Sequence, residues 1–140
     1  MIDIRTFYGT DAAADAFAIR QKVFVEEQGF QDEFDEIDAK AFHAVVYKDG
    51  KALGTGRTFS DGEDTFHIGR VAALSEARKM GVGALIMETL EKLAAENGAA
   101  CIVLSAQLQA QGFYERLGYS SRGDIYMDEH CPHIEMVKSL

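Results

Sequence analysis

Residues 68–84, with the sequence IGRVAALSEARKMGVGA, decide how this chain is interpreted. The segment runs from an apolar strand, through a loop that contains Arg78 and Lys79, into an amphipathic helix. Gly81 and Gly83 would let backbone N–H groups approach a ligand closely, and the start of a helix adds unpaired N–H groups and a positive dipole end. The segment therefore predicts a cradle for a pyrophosphate, although a tight connection between strand and helix would use the same glycines.

Outside this segment, hydrophobic periodicity predicts the element order β-α-β-β-β-α-β-α-β-β. The predicted strands cover residues 2–8, 42–47, 52–59, 65–74, 99–105, 119–127 and 133–137, and the predicted helices cover residues 12–28, 81–96 and 109–117. Hairpins followed by a β-α-β unit predict an α/β fold, with a mixed, mainly antiparallel sheet of six to seven strands and helices on both faces. The length of 140 residues predicts a single domain, 1–140.

The chain is acidic, with 14 Lys and Arg against 23 Asp and Glu and a formal net charge of −9. This charge argues against a nucleic-acid backbone or an anionic membrane as the partner, and it favours a cationic one. Cys101 and Cys131 lie far apart, in no spacing typical of metal or redox sites. This spacing predicts no metal site. Because no apolar leader follows Met1, the sequence also predicts a reduced, cytoplasmic protein.

A second informative segment follows the apolar run at residues 99–105. The strand predicted there should run beside the strand at 65–74, and two strands that diverge at their ends would open a slot for an extended ligand. Tyr114 would lie just past that slot, and a phenol of ordinary pKa, about 10, is a suitable acid toward a departing thiolate. Alternatively, Phe113 and Tyr114 would simply cover the core.

Together these motifs resemble the GNAT superfamily of N-acetyltransferases, and within it the small bacterial ElaA/YjcF-like proteins. The pattern Arg-x-x-Gly-x-Gly occurs at residues 78–83, and Phe-Tyr-x-x-x-Gly-Tyr occurs at residues 113–119. Lys79 stands where the family commonly has Gly, and Gln31 stands where relatives often have Pro. Further matching segments cover residues 20–28, 33–43, 54–57, 68–72, 106–107 and 132–136. The resemblance implies the GNAT fold, with acetyl-CoA as the acyl donor.

The resemblance also implies roles for individual residues. The strand at Val71, Ala72 and Ala73 would pair through its backbone with the pantetheine arm of acetyl-CoA, and a backbone N–H there would polarise the thioester carbonyl. Gln107 would lie near the pantetheine, and Tyr114 would be the general acid toward the CoA thiolate. The pyrophosphate would be held by Arg78, Lys79, Gly81, Val82, Gly83 and Ala84.

The site for the acceptor is less sharply defined. An amine is mostly protonated at pH 7, so its attack on a thioester needs a general base, and the sequence assigns none. Residues 26–38 contain seven carboxylates and no basic residue, which would either attract a cationic amine or form a solvated loop. Arg57 and Arg70 could bind a carboxylate or phosphate of the acceptor, or could pair with that loop. The candidate acceptor residues are Glu27, Asp38, His43, Arg57, Arg70 and His133; the candidate bases are Glu27, Asp35, Asp38, His43 and His133.

For the reaction, the resemblance implies direct transfer of an acetyl group to a primary amine of a small molecule within a ternary complex. One alternative is a non-catalytic acyl-CoA-binding module on the same fold. A second is an acyl-homoserine-lactone synthase, a related fold for which this chain is short. The closing strand at 133–137 could pair or swap across a homodimer, but nothing in the sequence requires it.

Overall fold

A computed structural model describes all 140 residues of the chain. The strands are β1 (Ile2–Tyr8), β2 (Phe42–Lys48), β3 (Lys51–Ser60), β4 (Thr65–Ala73), β5 (Cys101–Gln107), β6 (Ser120–Asp128) and β7 (Cys131–Ser139). The α-helices are α1 (Ala14–Arg20), α2 (Val82–Glu96) and α3 (Gln111–Arg116). The predicted order of elements and the mixed α/β class are confirmed. None of the helices is long and apolar enough to cross a membrane.

The seven strands form one sheet in the order β1-β2-β3-β4-β5-β7-β6. All neighbours are antiparallel except β4 and β5, which pair in parallel only over residues 65–68 and 101–104. Beyond that point β4 stays paired with β3 as far as Ala73, and β5 stays paired with β7 as far as Gln107. The sheet is therefore split in the middle, at the place where the sequence predicts diverging strands.

The closing strand has no free edge. β7 is hydrogen-bonded to β5 on one side and to β6 on the other, so β6 is the edge of the sheet. A second copy of the chain therefore cannot pair with β7 while β6 holds its place; a homodimer that exchanges the closing strand stays a prediction.

Helices α1 and α2 cover opposite faces of the sheet. Ala44 and Val46 on β2 belong to the cluster packed under α2, whereas Val45 belongs to the cluster packed under α1. Successive side chains of a strand point to opposite faces, so a strand covered on both faces carries a continuous apolar run. All three residues are fully buried, which accounts for the unbroken apolar pattern of β2.

The first helix differs from the prediction of one helix over residues 12–28. Helix α1 ends at Arg20, and the chain continues as a π-helix over Gln21–Glu27. The wider turn is shown by the backbone of Gln28, whose N–H donates to the carbonyl of Val23 at 3.0 Å. Ile19, Val23 and Phe24 stay buried through the change, so the apolar spacing alone does not reveal it.

Two glycines on β3 let α2 lie directly against the sheet. A Cβ on Gly54 would lie 2.5 Å from Cγ1 of Val82, and a Cβ on Gly56 would lie 2.7 Å from Cγ2 of Ile86 and 2.9 Å from Cδ1 of Leu90. A side chain at either position would push the helix away from the strand. These glycines therefore set the position of α2 and, with it, of the loop that precedes it.

Replacing Gly56 by valine is expected to lower the free energy of unfolding by about 1–3 kcal/mol, because the added methyl groups overpack this contact. Urea denaturation measures the change. Gly112→Ala is the control, since a Cβ there meets only Nη1 of Arg116, at 3.5 Å. The control should keep or slightly raise stability, because alanine favours a helix over glycine. Equal stability of the two variants would show that the β3–α2 contact tolerates a side chain.

Candidate active site

The split between β4 and β5 opens a cleft of about 650 Å³. Val71, Ala72 and Ala73 line one arm, and Ser105 and Gln107 line the other. Past residue 68, β4 pairs with β3 on one side only, so the backbone groups of its other edge face the cleft. An exposed strand edge of this kind can hydrogen-bond an extended ligand as an added strand would.

A bulge in β4 produces the split. Arg70 adopts a left-handed conformation with φ of 51°, and the register with β3 shifts between Thr55 and Arg57. A bulge bends its strand, and a left-handed non-glycine residue costs about 1–3 kcal/mol. The guanidinium of Arg70 offsets this cost by donating to the carbonyl of Glu33 at 3.1 Å and to Oδ2 of Asp35 at 3.2 Å.

Unpaired backbone donors mark the start of α2, next to the cleft. Gly81 precedes the helix with φ of 76° and no side chain caps the end. The first hydrogen bond of the helix runs from Leu85 N–H to the Gly81 carbonyl at 3.1 Å. The N–H groups of Val82, Gly83 and Ala84 therefore point out of the helix end, where an anion would be stabilised.

Arg78 joins this helix end to the cleft. Its Nε donates to the carbonyl of Ala73 at 3.2 Å, which fixes the side chain against the last residue of β4. Its Nη1 lies 2.7 Å from Oε2 of Glu27, and both side chains are 43% exposed. The hydrogen bond from Arg78 lowers the pKa of Glu27 below its usual value. Glu27 thus occupies the donors that a phosphate group would use.

The resemblance stated above implies CoA as the ligand of this helix end, so removing the competition is expected to tighten the binding of CoA. Glu27→Gln should lower the Kd for CoA by about two- to fivefold, because an exposed ion pair contributes little but must be broken before a phosphate takes its place. Isothermal titration calorimetry measures the Kd, and Glu26→Gln, an exposed neighbour of equal charge, is the control. Weaker binding by Glu27→Gln would mean that Glu27 instead holds Arg78 in its binding position.

Tyr114 lies on α3 and lines the cleft, half-buried. Its ring contacts those of Phe113 and Tyr119, with centroid distances of 5.0 and 5.9 Å, and no protein atom accepts a hydrogen bond from its hydroxyl. Burial raises the pKa of Tyr114 to about 12, so the phenol stays protonated at neutral pH. By contrast, Tyr119 is buried in the core and donates to Oε2 of Glu91 at 2.6 Å.

The acidic loop is tied to the protein by arginines. Nε of Arg20 donates to Oε2 of Glu33 at 2.9 Å, and Nη1 of Arg20 donates to Oδ1 of Asp38 at 2.8 Å. Nη1 of Arg57 donates to Asp35 at 2.7 Å and to Asp38 at 2.8 Å. All of these side chains except that of Asp35 are buried. The loop carboxylates at 33, 35 and 38 are thus partners of arginines rather than a free anionic rim.

The pKa values within this network follow from burial and pairing. Burial acts to raise the pKa of Asp38 and that of Asp35, but hydrogen bonds and attraction from arginines leave both below their usual values. For Glu33 burial dominates, and its pKa is raised. The Nε atom of Arg57 is buried without an acceptor, a cost of about 1–3 kcal/mol for a lone donor.

The two candidate histidines have different surroundings. His43 stacks on Phe7 with ring centroids 5.2 Å apart, and its Nε2 lies 3.0 Å from the carbonyl of Asp38. Burial lowers the pKa of His43, and the residue does not line the cleft. His133 does line it, on β7, where Nδ1 lies 2.9 Å from the carbonyl of Cys131.

The structure thus brings most of the candidate residues together. Those that line the cleft are Arg57, Arg70, Val71, Ala72, Ala73, Arg78, Gln107, Tyr114 and His133. Lys79, Gly81, Val82, Gly83 and Ala84 form the adjacent turn and helix end. Outside the lining are Glu27, Asp38, His43 and the candidate base Asp35, each of which is bound to another part of the protein.

Several lining residues were not singled out from the sequence: Gln28, Phe30, Phe59, His67, Ser105 and Asp128. Strand periodicity could have found His67, since it lies two residues before Gly69 and four before Val71 on the same strand. Phe30 follows the π-helix, where no periodic signal guides an assignment.

A split sheet with a free strand edge, an uncapped helix end beside it and a phenol in the wall suits an acyl-CoA thioester, and these features define a CoA-dependent acyltransferase. The profile of the family described as Acetyltransferase (GNAT) domain matches residues 10–140. YjcF of Bacillus subtilis, an uncharacterized N-acetyltransferase, is 40% identical over 128 residues, which cover 89% of this chain and 90% of YjcF. The chain belongs to the GNAT family of acetyltransferases, and the resemblance stated above is confirmed.

Solved structures agree with this assignment. A Lactobacillus plantarum protein described as an N-acetyltransferase superposes with a TM-score of 0.89 at 30% identity, covering 99% of this chain and 98% of its own. An acyl-CoA N-acyltransferase from Pseudomonas aeruginosa gives 0.87 at 28% identity, covering 99% and 100%. Escherichia coli ElaA, at 23% identity, and a CoA-dependent acyl-homoserine lactone synthase, at 11%, share the fold alone, with TM-scores of 0.87 and 0.83.

Proposed function

We propose that the protein transfers the acetyl group of acetyl-CoA to a primary amine of a small molecule, by direct attack of the amine within a ternary complex. The observation that carries the proposal is the parting of β4 from β5, which leaves a free strand edge facing Tyr114 across one cleft. In this proposal residues 1–140 act as one catalytic domain.

The residues present fit acetyl-CoA, which supplies an acetyl group activated as a thioester. The edge of β4 at Val71, Ala72 and Ala73 would bind the pantetheine arm through backbone hydrogen bonds. A backbone N–H of the same stretch would polarise the thioester carbonyl. The pyrophosphate would be bound at the start of α2 by Arg78, Lys79 and the N–H groups of residues 81–84.

Tyr114 would donate a hydrogen bond to the sulphur as negative charge develops there. Complete proton transfer from a phenol of pKa about 12 to a thiolate whose thiol has a pKa of about 8.5 is unfavourable by roughly 5 kcal/mol. A hydrogen bond that strengthens as the C–S bond breaks carries no such cost, and the always-protonated phenol is suited to provide it.

The proposal needs no nucleophile on the protein, because the amine itself attacks the thioester. Cys131 is the cysteine near the acceptor end of the cleft, and burial raises the pKa of its thiol, which disfavours the thiolate. The acceptor would enter beside Arg70 and His133, which line the cleft outside the strand edge assigned to pantetheine.

The experiment is acetyl-CoA turnover, followed by detection of free thiol over a panel of polyamines, amino sugars, amino acids and aminoglycosides. Thermal shift with CoA is measured in parallel. Thiol release that depends on one amine, with formation of its N-acetyl product, supports the proposal. A CoA-dependent thermal shift without turnover would favour a binding module, and the absence of any shift would refute the cofactor assignment.

A further inference from the structure

His133 lies on β7, beside the last residue of β5 at the open end of the split. It pairs in register with Gln107, the last residue of β5, so its backbone is one strand spacing, about 4.8 Å, from the cleft arm. The side chain lines the cleft although only 5% of the residue is exposed. The rings of Tyr126 and Phe30 pack against it, with centroids 6.1 and 6.3 Å away, and hold its orientation.

The hydrogen bond at Nδ1 sets the protonation state of the ring. A carbonyl oxygen can only accept, so the contact with Cys131 places the proton of the neutral ring on Nδ1 and leaves a lone pair on Nε2. Nε2 of His133 has no hydrogen-bond partner in the protein. The one side-chain nitrogen or oxygen that is both fully buried and without a partner is Nε of Arg57, so Nε2 of His133 is not fully buried. Nε2 of His133 is therefore accessible from the cleft, as a base must be.

The other candidate bases are already engaged. Glu27 is bound to Arg78, and Nε2 of His43 lies against the carbonyl of Asp38. Asp38 is held by Arg20 and is absent from the lining.

The remaining groups are also less suitable, and of these Asp35 does not line the cleft. Asp35 is bound by Arg57 and its pKa is lowered, which makes it a weaker base. Glu33 has a raised pKa, but its Oε2 is bound by both Arg20 and Arg70. His67 lies opposite Val103, on the paired part of β4 before the split.

We infer that His133 is the general base that deprotonates the acceptor amine. The inference rests on the proposed function. Nε2 takes one proton from the ammonium and frees the nitrogen lone pair. The C–N bond then forms as the C–S bond breaks; the sulphur leaves as a thiolate that accepts a hydrogen bond from Tyr114 and takes up the surplus proton that the nitrogen loses, and His133 releases its own proton to solvent.

The titratable groups around His133 come from several elements. Those lining the cleft or packed at its edge are Glu33, Arg57, His67, Arg70, Arg78, Tyr114, Tyr126, Asp128, His130 and Cys131. The carboxylate of Glu33 and the arginines at 57, 70 and 78 are in ion pairs, and Asp128 is exposed. His67 is the other histidine that lines the cleft, and it serves as the matched control.

His133→Asn tests the inference, because the amide of asparagine can still donate to the Cys131 carbonyl while the base at Nε2 is lost. The assay uses the most active amine of the panel and its β-fluorinated analogues, whose ammonium groups are more acidic at nearly the same size. For the parent amine at pH 7, kcat/KM should fall at least about tenfold, and the loss should shrink as fluorine is added. The acid limb of the pH profile should disappear, while the Kd for CoA stays unchanged.

A second readout uses the free protein. Histidine side-chain NMR should show the neutral ring of His133 as the Nδ1–H tautomer, with no proton on Nε2. The inference is overturned by an equal loss for all amines, by an unchanged acid limb, by an equal effect of His67→Asn, or by an Nε2–H tautomer. If the wild type releases no thiol with any amine, the proposed function fails by itself, and the NMR result still decides whether Nε2 is the free base.

Discussion

Replacing Tyr114 by phenylalanine is expected to lower kcat for amine-dependent thiol release by about 10²–10³, the usual effect of removing one hydrogen-bond donor to a charge that develops in the transition state. The substitution removes one oxygen from the cleft wall and keeps the ring that packs on Phe113 and Tyr119. The hydroxyl has no protein partner to leave unpaired, so the fold should not suffer. Thiol detection at fixed times, with saturating amine and acetyl-CoA, measures kcat, and isothermal titration calorimetry measures the Kd for CoA.

The magnitude depends on the environment of this phenol. Burial that raises its pKa to about 12 also lowers the local dielectric, and a hydrogen bond to a developing charge is stronger there than in water. Because the phenol stays protonated, the pH dependence of kcat in the wild-type protein should show no titration of Tyr114 over an assay range of about pH 6 to 9. The effect should appear in kcat rather than in the Kd for CoA, since it arises as the C–S bond breaks.

Tyr119→Phe is the matched control for this prediction. It deletes the same atom from the neighbouring tyrosine, which lies in the core and donates to Glu91. This variant should lose some stability, by leaving Glu91 with one donor fewer, and keep its kcat. Equal losses of kcat in both variants would refute a specific role for the Tyr114 hydroxyl.

Arg20→Met is expected to lower the free energy of unfolding by about 3–5 kcal/mol, the effect of removing one partner from a buried ion pair. Arg20 is 1% exposed and donates to Glu33 and Asp38, which are 4% and 2% exposed. Methionine fills much of the same volume but leaves two buried carboxylates with fewer partners. Urea denaturation monitored by circular dichroism measures the loss.

Arg122→Met supplies the comparison for Arg20. Arg122 forms the same kind of ion pair with Glu135 at 2.8 Å, but on the exposed strand β6. Solvent screens an exposed pair, so the change in stability should be small. If Arg20→Met were as stable as Arg122→Met, the acidic loop would not depend on its arginines for its conformation.

Hydrophobic periodicity was sufficient to predict the strands of the sheet, because the pattern of each strand and turn lies within a short stretch of sequence. The apolar run of β2 and the Asp-Gly turn after it predict a buried strand and a hairpin, and both are present. The uncapped helix end beside the cleft could also be predicted, since Arg78 and the glycines at 81 and 83 are neighbours in sequence and lie together at the start of α2.

The acceptor end could not be predicted in the same way, because its contacts are distant in sequence. Nothing in the sequence of residues 26–38 indicates that Asp38 is bound by Arg20 and Arg57. The sequence was therefore equally consistent with a solvated loop and with a loop that attracts a cationic amine. For His43 and His133, the residue type indicated a possible general base, but the sequence does not show which groups surround each ring. Only the tertiary structure shows that one Nε2 meets a carbonyl and the other meets the cleft.

The attachment of the acidic loop also bears on how the protein moves. Arginines from α1, β3 and β4 bind the loop carboxylates, so displacing the loop would leave several buried charges without their partners at once. Local opening of this segment should therefore be as rare as global unfolding, although its backbone is largely irregular. Exchange of substrate and product would then depend on motion elsewhere, at the exposed contact of Glu27 with Arg78 and along the solvent-exposed strand β6.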